Sequence, residues 1–286
     1  MPLALLKRDS MPIAAVEPGE GRLARSKAAT VRRRRTVPTT VWTVVVGAVI
    51  VGVWQASGSF ANPILVSTPS AILESIPQTF LHGPQGALSS ALGATMLDVL
   101  YGFGASIIVG VSVGYLIGTS TVLRRLLDPI VGLGNSSPTI ALLPLLIVWF
   151  GFGITSRVLF IFVVSVWAII INTSVGARIA HERYMDLKVA FSVPPRRYLS
   201  RVVVPGALPY VLTGLRIATA HAIIAAIISG SELGLNGIGG LAEQYGSQFL
   251  TSDLLGVVVL TTVIALILYK AIEVARNRFC SWVNYE

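Results

Sequence analysis

The sequence predicts an all-α membrane protein of about six transmembrane helices. Three observations carry that expectation. Of 286 residues, 53% are hydrophobic and only 12% charged, whereas soluble domains are about one quarter charged. The mean hydropathy is +0.75. The apolar residues also lie in long blocks, close to the roughly 20 residues that a bilayer-spanning helix needs. The single cysteine, Cys280, excludes a disulfide framework within the chain and a Cys-rich zinc or iron–sulfur site.

In chain order, the predicted spans are 41–57, 97–117, 130–150, 158–175, 208–229 and 254–269. The first and last are short for a span, and the third contains Pro138 and Pro144, each of which removes a backbone donor and predicts an interrupted helix. Residues 1–40 are polar, basic and rich in small residues. They read as a flexible cytoplasmic tail on an anionic membrane surface, with the transmembrane domain covering 41–286. The basic run 32–35 ahead of the first apolar block also fits an export signal. Between the first two spans, Thr68 followed by Pro69 reads as a helix start, and Ile72, Leu73 and Ile76 follow at helical spacing.

Orientation follows from Lys and Arg. Placing the N-terminus inside puts 20 of the 22 on inner segments. The outer segments 58–96, 151–157 and 230–253 hold only Arg157, and Arg216 lies within the fifth block. This positive-inside asymmetry predicts cytoplasmic N- and C-termini. The net charge of +9 is therefore topological, and no nucleic-acid partner is expected. Gly110, Gly114 and Gly118, four residues apart, line one face of the second span and predict close approach by another helix.

The chemistry for a catalyst is missing. The sequence has no G-x-x-x-x-G-K-[ST] loop, no H-E-x-x-H and no G-x-S-x-G, and His82, His181 and His221 are scattered, so no metal site is expected. Intramembrane ionisable residues are few: Asp98, Arg216 and His221. An ion-coupled carrier more often gathers several polar groups at mid-membrane. The chain reads as a conduit whose energy comes from elsewhere. A stand-alone carrier and an intramembrane enzyme are the alternatives.

The inner loop 176–209 is longer than a turn requires and carries six basic residues. The stretch 181–192 has the pattern of a short helix stopped by Pro194 and Pro195, with Tyr184, Leu187 and Phe191 on one face. It reads either as a docking element for a cytosolic partner or as an interfacial helix on headgroups.

The residues at the end of this loop and just beyond it make the pattern specific. Val202-Val203-Val204-Pro205 and then Gly206-Ala207-Leu208-Pro209 through Arg216 resemble the signature of inner-membrane permeases of binding-protein-dependent ABC importers, in their sulfonate, taurine and nitrate branch. Counting back aligns Ser192 with the family's glycine and Asp186-Leu187-Lys188 with its Glu-Ala-Ala, so the coupling motif is degenerate. The stretches 64–70, 98–103, 137–145, 149–153 and 237–241 are similar to the same branch.

The resemblance implies a type I ABC importer permease fold in a bacterial inner membrane. It also implies a second permease copy, two cytosolic ATPases that bind ATP and Mg, and an extracytoplasmic solute-binding protein. No cofactor is implied in this chain. Carried over residue by residue, ATPase coupling falls to Glu182, Tyr184, Asp186, Leu187, Lys188, Phe191, Ser192, Arg196 and Arg197. The translocation pathway is expected at Asn172, Thr213, Arg216 and His221, where Arg216 would suit an anionic solute. Snorkelling of Arg216 to inner headgroups is the alternative.

Overall fold

Helices ordered by long apolar runs make up this chain, and the computed structural model describes residues 39–60, 66–82, 87–233 and 237–280. The predicted tail, apart from its last two residues, therefore lies outside the described residues. In order, the elements are α1 (Thr39–Phe60), α2 (Pro69–His82), α3 (Ala87–Thr119), α4 (Thr121–Ser136), a 3₁₀ turn (Thr139–Leu142) and α5 (Leu143–Phe150). Then come α6 (Ile154–Arg183), α7 (Met185–Ala190), α8 (Pro195–Tyr198), a π-helical turn (Leu199–Val203), α9 (Val204–Glu232), α10 (Gly237–Ser247) and α11 (Thr251–Phe279). All described elements are helical. Five helices are long and apolar enough to cross a membrane, and six spans result if α4 and the 139–150 segment count as one broken span.

The break in that third span is where the prolines predicted it. The axis turns by 91° between Ser136 and Thr139. Pro138 follows Ser137, whose extended ψ of 143° is what a residue before proline prefers. Pro144 sits in the first turn of α5, where a missing N–H costs nothing.

The chain divides into residues 1–50 and 51–286. In the first unit, residues 41–50 of α1 are apolar or small except Thr43 and are exposed on every side, as a lipid-facing helix requires. The second unit is built on α6, which packs along both α3 and α9. The glycine face of α3 meets α6. A Cβ on Gly110 would lie 2.8 Å from that of Ile169, one on Gly114 2.6 Å from that of Thr173, and one on Gly118 2.5 Å from that of Ala177. Only a glycine seam allows this approach, so the predicted packing face is used within the chain.

Hydrogen bonds between helices then fix the ends. Thr68 caps α2 as expected, its Oγ1 accepting from Ala71 N at 3.3 Å. Trp54 Nε1 donates to Ser67 O at 3.1 Å, and Ser75 Oγ donates to Ser252 O, tying α2 to α11. Thr95 Oγ1 of α3 accepts from Ile238 N at 2.9 Å at the start of α10.

Three sequence expectations need correction. The helices extend well past their apolar blocks: α3 starts ten residues before 97, and α6 runs on to Arg183 instead of stopping at 175. The predicted helix 181–192 is two pieces, because Tyr184 (φ −113°, ψ 11°) ends α6 and α7 begins at Met185. Arg157 belongs to the first turns of α6 and is 8% exposed, not a residue of an outer loop.

Candidate functional site

The segment from Tyr184 to Val203 carries an exposed apolar cluster on a short helix. In α7, Leu187, Val189 and Phe191 just after it are 52%, 71% and 75% exposed. A six-residue helix cannot hold itself together in water. Its supports are visible at its base. Tyr198 is 2% exposed, and its hydroxyl donates to His181 O at 2.7 Å, joining α8 to the end of α6. The His181 ring meets the Tyr198 ring edge-on at 5.6 Å, and the Lys188 ammonium lies 5.4 Å from the centre of the same ring. Ala177, Ala180, Val203 and Ala207 complete a buried cluster around it.

Tyr184 packs against this cluster. It therefore anchors α7 from behind, and the outward apolar set is Leu187, Val189 and Phe191. Glu182 lies 3.7 Å from Arg124, which ties the end of α6 to the start of α4. Asp186, Arg196 and Arg197 are exposed around α7. Ser192 has φ +47°. The backbone there takes the left-handed conformation, at the position that the resemblance aligns with a glycine.

None of the four pathway candidates lines the apolar grooves along α9. Asn172 Nδ2 donates to Ala168 O at 2.8 Å, and Thr213 Oγ1 to Pro209 O at 2.9 Å, so both bond to their own helices. The Arg216 guanidinium stacks 4.1 Å from the ring centre of Tyr269 on α11. His221 is half-buried on α9. Two apolar grooves do lie along α9: about 300 Å³ between α9, α10 and α11, and about 430 Å³ between α3, α9 and α11.

One polar contact escaped the sequence reading. Arg157 Nε donates to Asp98 Oδ2 at 2.7 Å, with both side chains under a tenth exposed. Two opposite charges, each alone in an apolar stretch, were the available signal, since an intramembrane charge needs a partner.

A family model described as the binding-protein-dependent transport system inner membrane component matches residues 106–280. That is well over half of the chain, from the middle of α3 to the end of α11. The chain belongs to this family. This permease is thus a multi-pass inner-membrane component of a transport system, a transport subunit and not an enzyme.

Several curated relatives of the permease match it over most of their length. It is 29% identical to the taurine transport system permease protein TauC of Escherichia coli, over 82% of this chain and 87% of that protein. It is 32% identical to the bicarbonate transport system permease protein CmpB of Synechococcus elongatus, over 81% and 84%. The nitrate import permease protein NrtB of Synechocystis is 28% identical over 79% and 84%. These match the branch that residues 202–216 resemble. Among solved structures, two chains of the MetNI methionine ABC transporter superpose with TM-scores of 0.50 and 0.51 at 19% and 22% identity. They cover 79% and 69% of the permease and 100% and 94% of their own length. The shared fold is that of an ABC importer permease.

Proposed function

We propose that this permease is the membrane subunit of an ATP-driven importer of a small anionic solute, and that α7 is the element through which a cytosolic ATPase drives it. The observation that carries the coupling role is the exposed apolar trio Leu187, Val189 and Phe191, held out on a helix that is braced from behind by Tyr184 and Tyr198. Exposed apolar clusters rimmed by charge mark protein contacts. Asp186, Lys188, Arg196 and Arg197 supply that rim, and Ser192 sets the angle at which α7 leaves the bundle. Membership of the family supports two permease copies, two ATPases carrying ATP and Mg, and a solute-binding protein on the opposite side.

Taurine, nitrate and bicarbonate, named for the relatives, are all small and bear an anionic group. Arg216 is the one basic residue within the fifth predicted block. Its face is covered by Tyr269, while its N–H edge remains a donor for a passing oxyanion. Asn172, Thr213 and His221 are the neighbouring polar groups of the proposed route.

Leu187→Asp combined with Phe191→Asp is expected to abolish co-purification of the ATPase while membrane insertion stays intact. Undiminished co-purification refutes the coupling role. Uptake of labelled taurine, nitrate and bicarbonate by cells with and without the ATPase separates this reading from a stand-alone carrier, whose transport survives ATPase loss.

A further inference from the structure

One sequence offset runs along the whole α3–α6 contact. Asp98 on α3 is joined to Arg157 on α6, 59 positions later. The same offset recurs at successive turns. A Cβ on Gly102 would lie 2.8 Å from that of Ile161, and Gly110, Gly114 and Gly118 meet Ile169, Thr173 and Ala177. Ser106 and Ser165 occupy the intervening rung. Both are fully buried, and each donates to a carbonyl of its own helix, Phe103 O and Ile161 O. A constant offset means that the two helices run parallel with their four-residue ridges in step.

Such a ladder repeats, and its apolar rungs discriminate poorly between neighbouring registers. Sliding α6 by four residues one way would set Gly110 against Thr173 and Gly114 against Ala177, and the seam already packs a glycine on each of those side chains. Sliding it the other way would set Gly118 against Thr173 and Gly110 against Ser165. Either slip would displace α6, with α7 at its end, by about 6 Å along α3. The charged rung alone does not repeat. One slip faces Asp98 with Ile161 and Arg157 with Ala94, and the other faces them with Gly153 and Gly102. Both would leave two buried charges without partners, the most costly state of an ion pair. The pair is not built for stability, since its one polar side-chain contact is Nε to Oδ2 at 2.7 Å and Asp98 Oδ1 is enclosed with no hydrogen-bond partner. We propose that Asp98–Arg157 is a register pin, which selects this offset over its neighbours and so sets the level along α3 at which α6 carries α7. Fixing register is the best-attested use of a buried polar group.

The test reads register directly, in membranes, with the full chain on a Cys280→Ser background. Ser106→Cys is combined with Ser165→Cys for the native offset, and with Ile169→Cys or Ile161→Cys for the two slips. Disulfides formed under mild oxidation are identified by mass spectrometry of the digested protein. With Asp98 and Arg157 in place, only positions 106 and 165 are expected to crosslink. Asp98→Leu combined with Arg157→Met removes both charges but keeps bulk, so this variant should still insert, and crosslinks from 106 to 161 or 169 should appear beside the native one. The exchange Asp98→Arg with Arg157→Asp should return crosslinking to 106 and 165 alone. Native-only crosslinking in the apolar variant overturns the proposal, because the rest of the packing then suffices to fix register. Slipped crosslinks in the exchanged variant overturn it as well. If the apolar variant does not insert, Arg157→Met alone is read in the same way, since a lone buried carboxyl neutralises by taking up a proton; native-only crosslinking there overturns the pin.

Discussion

Ser192 spends backbone strain to keep a turn. Among the described residues only Ser192 (φ 47°) and Phe249 (φ 57°) are non-glycine residues with positive φ. The left-handed region costs an L-residue about 1–2 kcal/mol, and glycine gives back roughly 0.5–1 kcal/mol in chain entropy. Ser192→Gly is therefore expected to stabilise by something of order 0.5–1 kcal/mol, and Ser192→Val to destabilise, each read as a Tm shift in detergent. A lower Tm for Ser192→Gly contradicts the strain argument. The residue scale was only half legible. The resemblance placed Ser192 at the family's glycine, a residue free to adopt positive φ. The pairing of Asp98 with Arg157, 59 positions away on another helix, was hinted at only by each being a lone charge in an apolar stretch. Tyr184 was misassigned to the outward face because a helical wheel assumes one continuous helix, and the chain breaks at that residue.

At the scale of elements, the α3–α6 seam is the packing unit that carries the second body of the molecule. A Cβ on Gly118 would also approach Ser174 O to 2.7 Å, so there is backbone on the far side that cannot yield. Gly118→Leu is expected to destabilise by about 1–3 kcal/mol, the usual cost of overpacking, while Gly104→Leu, with open space around its Cβ position, stays close to wild type. Equal Tm values for the two variants would contradict the seam. The helices α3 and α6 were legible as apolar blocks, though not in their ends, since polar turns continue a helix once tertiary contacts hold it. The helix α10 was not legible at all. Its first turn holds three glycines, poor helix formers by propensity. They are there because Gly239 sits directly against Ile227 O and Gly230 of α9, where any side chain would collide.

For the whole molecule, orientation is the property with the plainest test. The chain has one cysteine, Cys280, which is 5% exposed. Burial pushes its thiol up, and since the thiolate is the reactive form, native labelling by maleimide is expected to be slow and to quicken as pH rises. On a Cys280→Ser background, Glu74→Cys should react with a membrane-impermeant maleimide in intact cells, and Arg197→Cys only after permeabilisation. The reverse pattern refutes cytoplasmic termini. The sequence by itself determined that the chain is built of long apolar helices and that the third block breaks at Pro138. Both are local properties, read from composition and spacing along one stretch of chain, and the family entered through a resemblance. Only the tertiary structure decided that Arg157 is buried against Asp98, that the α3 glycines serve α6, and that Tyr184 faces inward behind α7. Each depends on which distant segments pack together: the four-residue glycine spacing shows that α3 is approached closely, but not by which helix.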